Sequence, residues 1–287
     1  MKKISLAIIG PPTQNSKDLL LAAKKKGWTA KIFEIVDIIF ESKNGSPQAF
    51  CGKKNLNDFD VIIFRGYNNH IYEAKILAKI LKHNKKTVIE ESLSGFYVRG
   101  KAQQAIIFSE KKIAHPITYQ ALSVDGWKNI LQKMKFPIIA KLNLGRKGRN
   151  IKKIDRKQDA MKFFRQNKFD YLAQEYYPIK SDFRVFVVGN KVIGGFERFI
   201  IKGEYKSNVH GTPAQKINVS QEMKKVAIKA TKACEYEIAG VDLMKYNGKI
   251  YVIEVNVAPQ WEKFKMITGI NPAEYIIEYA LKKHLQK

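Results

Sequence analysis

The first ninety positions alternate between two hydrophobic periods. ISLAIIG, DFDVIIFRG and KTVIE are continuous apolar runs, and AKIFEIVD is a fourth stretch of strand character. Between them, SKDLLLAAKKKG and YEAKILAKILKHN keep their apolar residues on one helical face. Ser16 is placed to cap the first helix and Gly27 to stop it. Apolar strands separated by amphipathic helices predict a small parallel sheet with helices on its faces. Gly10-Pro11-Pro12 does not have the G-x-G-x-x-G spacing, and G-x-x-x-x-G-K-[ST] occurs nowhere, so the chemistry of those two phosphate loops is missing.

After Gly100 the pattern changes. GKAQQAIIFSEKKIAHP predicts a helix closed by His115-Pro116. PIIAKLNLGRKGRNIKKI predicts a strand, a basic glycine loop and a second strand. DRKQDAMKFFRQ follows as a short amphipathic helix and LAQEYY as a strand. From Ser181 the segments look antiparallel. DFRVFVVG and KVIGGFERFI flank a Gly189-Asn190 turn, SQEMKKVAIKATKACEYE is a long amphipathic helix, and IAGVDLMKYNGKIYVIEVNVAP is a second hairpin. No repeat or low-complexity tract interrupts the chain. The expectation is an α+β protein: an N-terminal α/β parallel-sheet lobe (1–95), a central lobe (96–172) and a C-terminal lobe (173–287).

The length of 287 residues and the 45% hydrophobic content suffice for cores of this size. No apolar run reaches the eighteen residues of a membrane span. The opening MKKISLAIIGPP is too short in its apolar part for a signal peptide and reads as a strand. Cys51 and Cys234 are too few for a disulfide framework, and no Cys/His group has zinc spacing. A cytoplasmic location is expected. Lys and Arg number 52 against 26 acidic residues, a net charge of +26. One reading is an acidic partner, whether nucleic acid, an acidic peptide tail or a polyphosphorylated ligand; the other is a Lys-, Ile- and Asn-rich composition that charges every solvated face. Lysines run through the whole chain, as the second reading requires.

The chemistry concentrates in the last hairpin. Strand alternation puts Glu254 and Asn256 on one face of IYVIEVNV, with Ile253, Val255 and Val257 on the other. Hard oxygen donors side by side on an apolar strand suit Mg²⁺, which takes carboxylates together with phosphate oxygens and water. Asp242 joins them only in one register. A two-residue Asn247-Gly248 turn opposes Asp242 to Ile253, on the wrong face. A three-residue loop with Gly248 as a bulge opposes it to Val252, on the right one. Both turns accept Asn-Gly.

AGVDLM, VIEVNVAP and MITGIN, with SDFRVFVVGNKVIGGFER and GEYKSNVHG before them, resemble an ATP-grasp enzyme of the RimK-like type, from Lys101 to the C-terminal helix. The resemblance implies an ATP-grasp fold whose last two lobes clasp ATP. It assigns Lys101 and Lys141 to ATP phosphates; each could otherwise be a snorkelling surface lysine. Gly145-Arg146-Lys147-Gly148-Arg149 corresponds to the flap over the triphosphate, or is a plain hairpin turn. Glu175, Tyr176 and Tyr177 lie on the strand whose backbone reads adenine, and Asp182 lies near the ribose. Lys206-Ser207-Asn208 stands where relatives carry Arg-Ser-Asn against ATP and the acyl phosphate, with the planar fork lost at Lys206. Asp242, Glu254 and Asn256 are the metal ligands. Arg184 and Arg198 bind a substrate carboxylate or the transferring phosphoryl group, or face solvent as strand charges. His210 is a base or a structural histidine. After the metal asparagine the family pattern is Ala-Ser-Pro-Gly, and here it is Val257-Ala258-Pro259-Gln260, so the acceptor end departs from it.

The implied activity is ATP- and Mg²⁺-dependent amide formation through an acyl phosphate, with Mn²⁺ as a second usable ion. Glutamate is the favoured amino acid, and the acceptor is a carboxylate-bearing peptide or small acid. Relatives are often homo-oligomers; no membrane is implied. Competing readings are a lysine-biosynthesis, glutathione-synthetase or cofactor-glutamylase type ligase, a basic RNA- or nucleotide-binding module on an inactive scaffold, and a nucleotide-regulated scaffold without turnover.

Overall fold

A computed structural model describes residues 3–98, 100–145, 150–167, 170–207 and 211–287. The N-terminal strands β1 (Ser5–Ile9), β2 (Thr29–Phe33), β6 (Val61–Phe64) and β7 (Thr87–Ile89) form a parallel sheet in the order β2-β1-β6-β7. Continuous apolar runs fit this sheet because both of its faces are covered. Leu6, Ile8, Val61 and Ile63 pack against Leu19 of helix α1 (Gln14–Lys25) and against Ile276 and Ala280 of α8 (Pro272–Leu285). Ala7, Ile9, Ile62 and Phe64 meet Ala74, Leu77 and Leu81 of α2 (Ile71–His83) on the other face. Thr13, not Ser16, caps α1; the Ser16 hydroxyl instead donates to the Pro11 carbonyl at 2.7 Å. A small antiparallel sheet of β3 (Ile38–Glu41), β4 (Gln48–Cys51) and β5 (Lys54–Asn55) lies between β2 and β6 in the chain.

A second antiparallel sheet follows helix α3 (Lys101–Glu110). It comprises β8 (Thr118–Tyr119), β9 (Ile138–Leu142), β10 (Ile151–Ile154) and β11 (Tyr171–Glu175), in the order β10-β9-β11-β8. Helices α4 (Val124–Lys133) and α5 (Lys157–Gln166) back it, with Trp127 stacked on Phe164 at 3.8 Å in the core.

The last sheet is antiparallel in the order β14-β13-β12-β15-β16, from β12 (Ser181–Val188), β13 (Lys191–Phe199), β14 (Ala214–Lys216), β15 (Ile238–Tyr246) and β16 (Lys249–Val257). One face carries Val185, Val187, Val241, Leu243 and Val255 and is closed by α6 (Gln221–Ala233) and α3. The other face carries the charged residues. Its apolar end, Phe186 and Val188, passes under Trp261 and Phe264, the latter on α7 (Glu262–Thr268), into the core that α8 shares with the N-terminal sheet. Among the described residues no helix is long and apolar enough to cross a membrane.

Candidate functional site

The face of the last sheet left open by α6 and α3 borders a cleft of about 650 Å³, roofed by the central sheet. That volume suits a nucleotide-sized ligand. Asp242, Glu254 and Asn256 meet on its floor, but not by either expected turn. Asn247-Gly248 makes the two-residue turn, with Tyr246 paired to Lys249, which alone would turn Asp242 away. A bulge at Ile253 restores it: Leu243 pairs with Val252, and Asp242 pairs directly with Glu254. Gly240 pairs with Asn256 one step on, and the Asn256 amide nitrogen lies 3.1 Å from Asp242 Oδ2.

Cations surround these oxygens. Arg184 lies opposite Asp242 on β12 and binds it with both ends of its fork, Nε to Oδ1 at 2.5 Å and Nη2 to Oδ2 at 2.8 Å. Arg198 donates to Asp242 Oδ1 at 2.8 Å and holds Asp182 through Nε and Nη2 at 2.6 and 2.9 Å. Ser207 donates a short hydrogen bond to Asp182. Burial works to raise the Asp242 carboxyl, and the two guanidiniums outweigh it, holding it below its ordinary value. Both arginines therefore face the site, and the alternative of solvent-facing strand charges is removed. Arg198 is 6% exposed.

Lys101 reaches Glu254 because Gln104 fixes its helix. The Gln104 side chain donates to the Val255 carbonyl at 2.8 Å and accepts from the Val255 N–H at 2.9 Å, satisfying the outer edge of β16. One turn earlier, the Lys101 ammonium lies 3.2 Å from Glu254 Oε1 and donates to the Gly145 carbonyl at 2.8 Å. Gly100 starts the helix at φ +95°, where a Cβ would sit 2.7 Å from Asn143 Oδ1. Lys141 projects from β9 beside the same carboxylates. Burial depresses its ammonium to about 8, with Glu254 opposing and Lys101 reinforcing the shift. The charged form is thus disfavoured on folding, and the penalty disappears as pH rises from about 8 towards the ordinary lysine range. The wild-type chain should gain stability over that window relative to a Lys141→Met variant, as denaturation at a series of pH values would show. Parallel pH profiles would contradict it.

Glu175, Tyr176 and Tyr177 line the cleft where β11 leaves the central sheet. The Tyr177 ring packs against Tyr246 and Tyr251, and its hydroxyl donates to Glu175 at 3.0 Å. Lys206 lines the same wall, and neighbouring Tyr205 donates to the Ile151 carbonyl at 2.7 Å, tying the two sheets together. Arg146, Lys147, Gly148, Arg149, Asn208 and His210 lie outside the described residues. The sequence reading missed the apolar residues of the cleft: Ile139, Ile179, Ile200 and Met244 line it. The signal for Ile139 and Met244 was strand alternation with Lys141 and Asp242.

The oxygen donors suit a hard divalent cation. Among the described residues no three His, Cys, Asp or Glu side chains cluster for a metal; the set is two carboxylates and an amide. Asp242 already accepts four N–H groups, the full capacity of a carboxylate. Turning the Asn256 amide oxygen inward would free one of the two acceptor sites on Oδ2, the other staying with Arg184 Nη2.

Two α+β units closing on such a cleft define the ATP-grasp fold. The ATP-grasp ligase PsnB, solved with a phosphomimetic variant of its minimal precursor, Mg and ADP, superposes with a TM-score of 0.76 at 12% identity, over 98% of this chain and 99% of that one. A RimK domain ATP-grasp protein from Sphaerobacter thermophilus DSM 20745 gives 0.69 at 15% identity, over 96% and 99%. The RimK-like ATP-grasp domain model matches residues 98–280, and the chain belongs to that family, whose members are carboxylate–amine ligases. It is 28% identical over 289 residues to a "Probable alpha-L-glutamate ligase" of Legionella pneumophila (strain Corby), covering 98% of this chain and 96% of that protein.

Proposed function

We propose that this enzyme joins glutamate to the terminal carboxylate of an acidic peptide or small acid, using Mg²⁺-ATP and an acyl-phosphate intermediate. The observation that carries the reading is the direct pairing of Asp242 with Glu254, next to Asn256, in a cleft lined by Lys101, Lys141, Arg184 and Arg198. The name of the Legionella relative points to glutamate. PsnB, solved with a precursor peptide, supports a peptide as acceptor. Residues 96–172 carry 18 basic and 5 acidic side chains, half of the net +26, which favours an acidic one.

Asp242, Glu254 and Asn256 would hold Mg²⁺, which when bound neutralises the triphosphate and keeps the γ-phosphoryl in line with the attacking oxygen. Lys101, on leaving Glu254, and Lys141 bind phosphate oxygens. Ile139, Ile179, Ile200 and Met244 take the base, beside the backbone of Glu175 to Tyr177. Arg184 or Arg198 exchanges part of its hold on Asp242 for the acceptor carboxylate and stabilises charge spreading over the transferred phosphoryl. Water has to be kept from the acyl phosphate, which would otherwise hydrolyse. The glutamate amine then attacks and phosphate leaves. Of the three lobes, 1–95, 96–172 and 173–287, these residues occupy the last two, and the reaction belongs to the ATP-rich cytoplasm.

The test is ADP formation by the full chain with Mg²⁺-ATP, glutamate and a panel of peptides and small acids. Release stimulated only by glutamate together with an acidic acceptor is expected. Stimulation by a different amino acid would overturn the glutamate assignment, and salt-sensitive RNA binding without ADP formation would overturn the enzyme reading.

A further inference from the structure

Arg65 lies outside every role given above. It follows β6 at the carboxyl edge of the parallel sheet and is 3% exposed. Its Nη2 donates to the Pro259 carbonyl at 2.5 Å, across 194 residues of chain. Its guanidinium lies 4.5 Å from the Trp261 ring centroid. Trp261 is fully buried and its indole N–H donates to Asp18 Oδ2 at 3.2 Å; Lys265 reaches the same oxygen at 3.1 Å. Arg65 and Asp18, both from the N-terminal lobe, thus grip the segment Pro259–Trp261 that leaves β16 just after Asn256.

That segment is strained. Ala258 stands at φ +46°, a left-handed conformation that costs a residue with a Cβ, and its methyl is buried in the N-terminal core. The strain sits two residues after Asn256. Pro259 also closes on the site from above: a Cβ on Gly240 would lie 3.1 Å from Pro259 Cβ and 2.8 Å from Arg184 Nη1. Gly240 is the strand partner of Asn256, and its carbonyl lies 3.4 Å from the Asn256 amide nitrogen.

The Arg65 guanidinium is incompletely paired. Among the described residues Arg65 Nε and Nη1 are buried without hydrogen-bond partners. A buried, incompletely paired guanidinium carries a desolvation cost that offsets part of what its contacts with the Pro259 carbonyl, the Trp261 ring and the nearby buried Glu90 contribute. Its directed hydrogen bond goes to the Pro259 carbonyl.

We infer that Arg65 is a positioning residue: through Pro259 it holds the strained turn after β16 and so sets where Asn256 presents its amide to the divalent cation. The inference rests on the metal assignment proposed above. Groups that orient metal ligands from behind typically account for tenfold or more in metal affinity. The experiment is Mn²⁺ titration of the full chain with ADP, followed by electron paramagnetic resonance, for wild type, Arg65→Met, Arg65→Lys and Asn256→Ala, with melting temperatures of each. Arg65→Met should weaken Mn²⁺ binding about tenfold, measured at a temperature where the chain stays fully folded. Arg65→Lys, which keeps one N–H for Pro259, should fall between. Unchanged Mn²⁺ affinity in Arg65→Met with weakened affinity in Asn256→Ala would overturn the inference alone. Unchanged affinity in both would overturn the metal assignment beneath it. A fall in melting temperature with unchanged Mn²⁺ affinity would make Arg65 structural.

Discussion

Glu254→Ala is expected to lower ADP formation at least about a thousandfold, roughly 4 kcal/mol of transition-state stabilisation, while leaving the fold intact. The two effects separate because of where Glu254 sits. Its side chain is 26% exposed, and its one ion pair among the described residues, to Lys101, spans 3.2 Å. A partly solvated pair of this kind stabilises a protein by about 1 kcal/mol or less. Gln104 clamps α3 to β16 through backbone atoms of Val255, so the helix stays in place without the glutamate side chain. Turnover assays and urea denaturation on the same preparation check the prediction. Undiminished turnover would remove Glu254 from the metal site.

Asp242→Asn is expected to lose turnover to a similar extent and, unlike the first variant, to lose stability by about 3 kcal/mol. Asp242 is 8% exposed and serves two guanidiniums. Arg198 would keep Asp182, but Arg184 would lose one of the two hydrogen bonds of its fork. An amide can accept at one end only, so an Arg184 N–H would face a like donor. Because the carboxyl is held below its ordinary value, its contribution is present at neutral pH and is lost only as acid protonates it. Acid denaturation should therefore differ less between the two proteins than denaturation at pH 7. Equal stability of the two chains at pH 7 would contradict the arginine clamp.

The fold was legible where periodicity was strong. The four parallel strands stand where ISLAIIG, AKIFEIVD, DFDVIIFRG and KTVIE put them, and α6 fills the helical stretch after Ser220. Strands β3 to β5 run two to four residues each, too short for a period to show. Helix α4 was hidden by Gly126 and the β-branched Val124 in its first turn. At the site, Glu254 and Asn256 followed from alternation on one strand. Asp242 could not be placed, because its side depends on a bulge at Ile253 that no glycine marks. The arginines were ambiguous for a related reason: alternation says that Arg184 opposes Val185, but which face is the cleft depends on where α6 and α3 dock. Arg65 carried no local signal, since its partner lies 194 residues on.

The whole account comes down to a carboxylate taking the γ-phosphoryl of ATP in this cleft. An acceptor peptide labelled with ¹⁸O in its terminal carboxylate, incubated with Mg²⁺-ATP, glutamate and the enzyme, tests that transfer in the released phosphate. One labelled oxygen in phosphate for each amide bond, with ADP as the other product, is the predicted result. Unlabelled phosphate, or AMP in place of ADP, would contradict it.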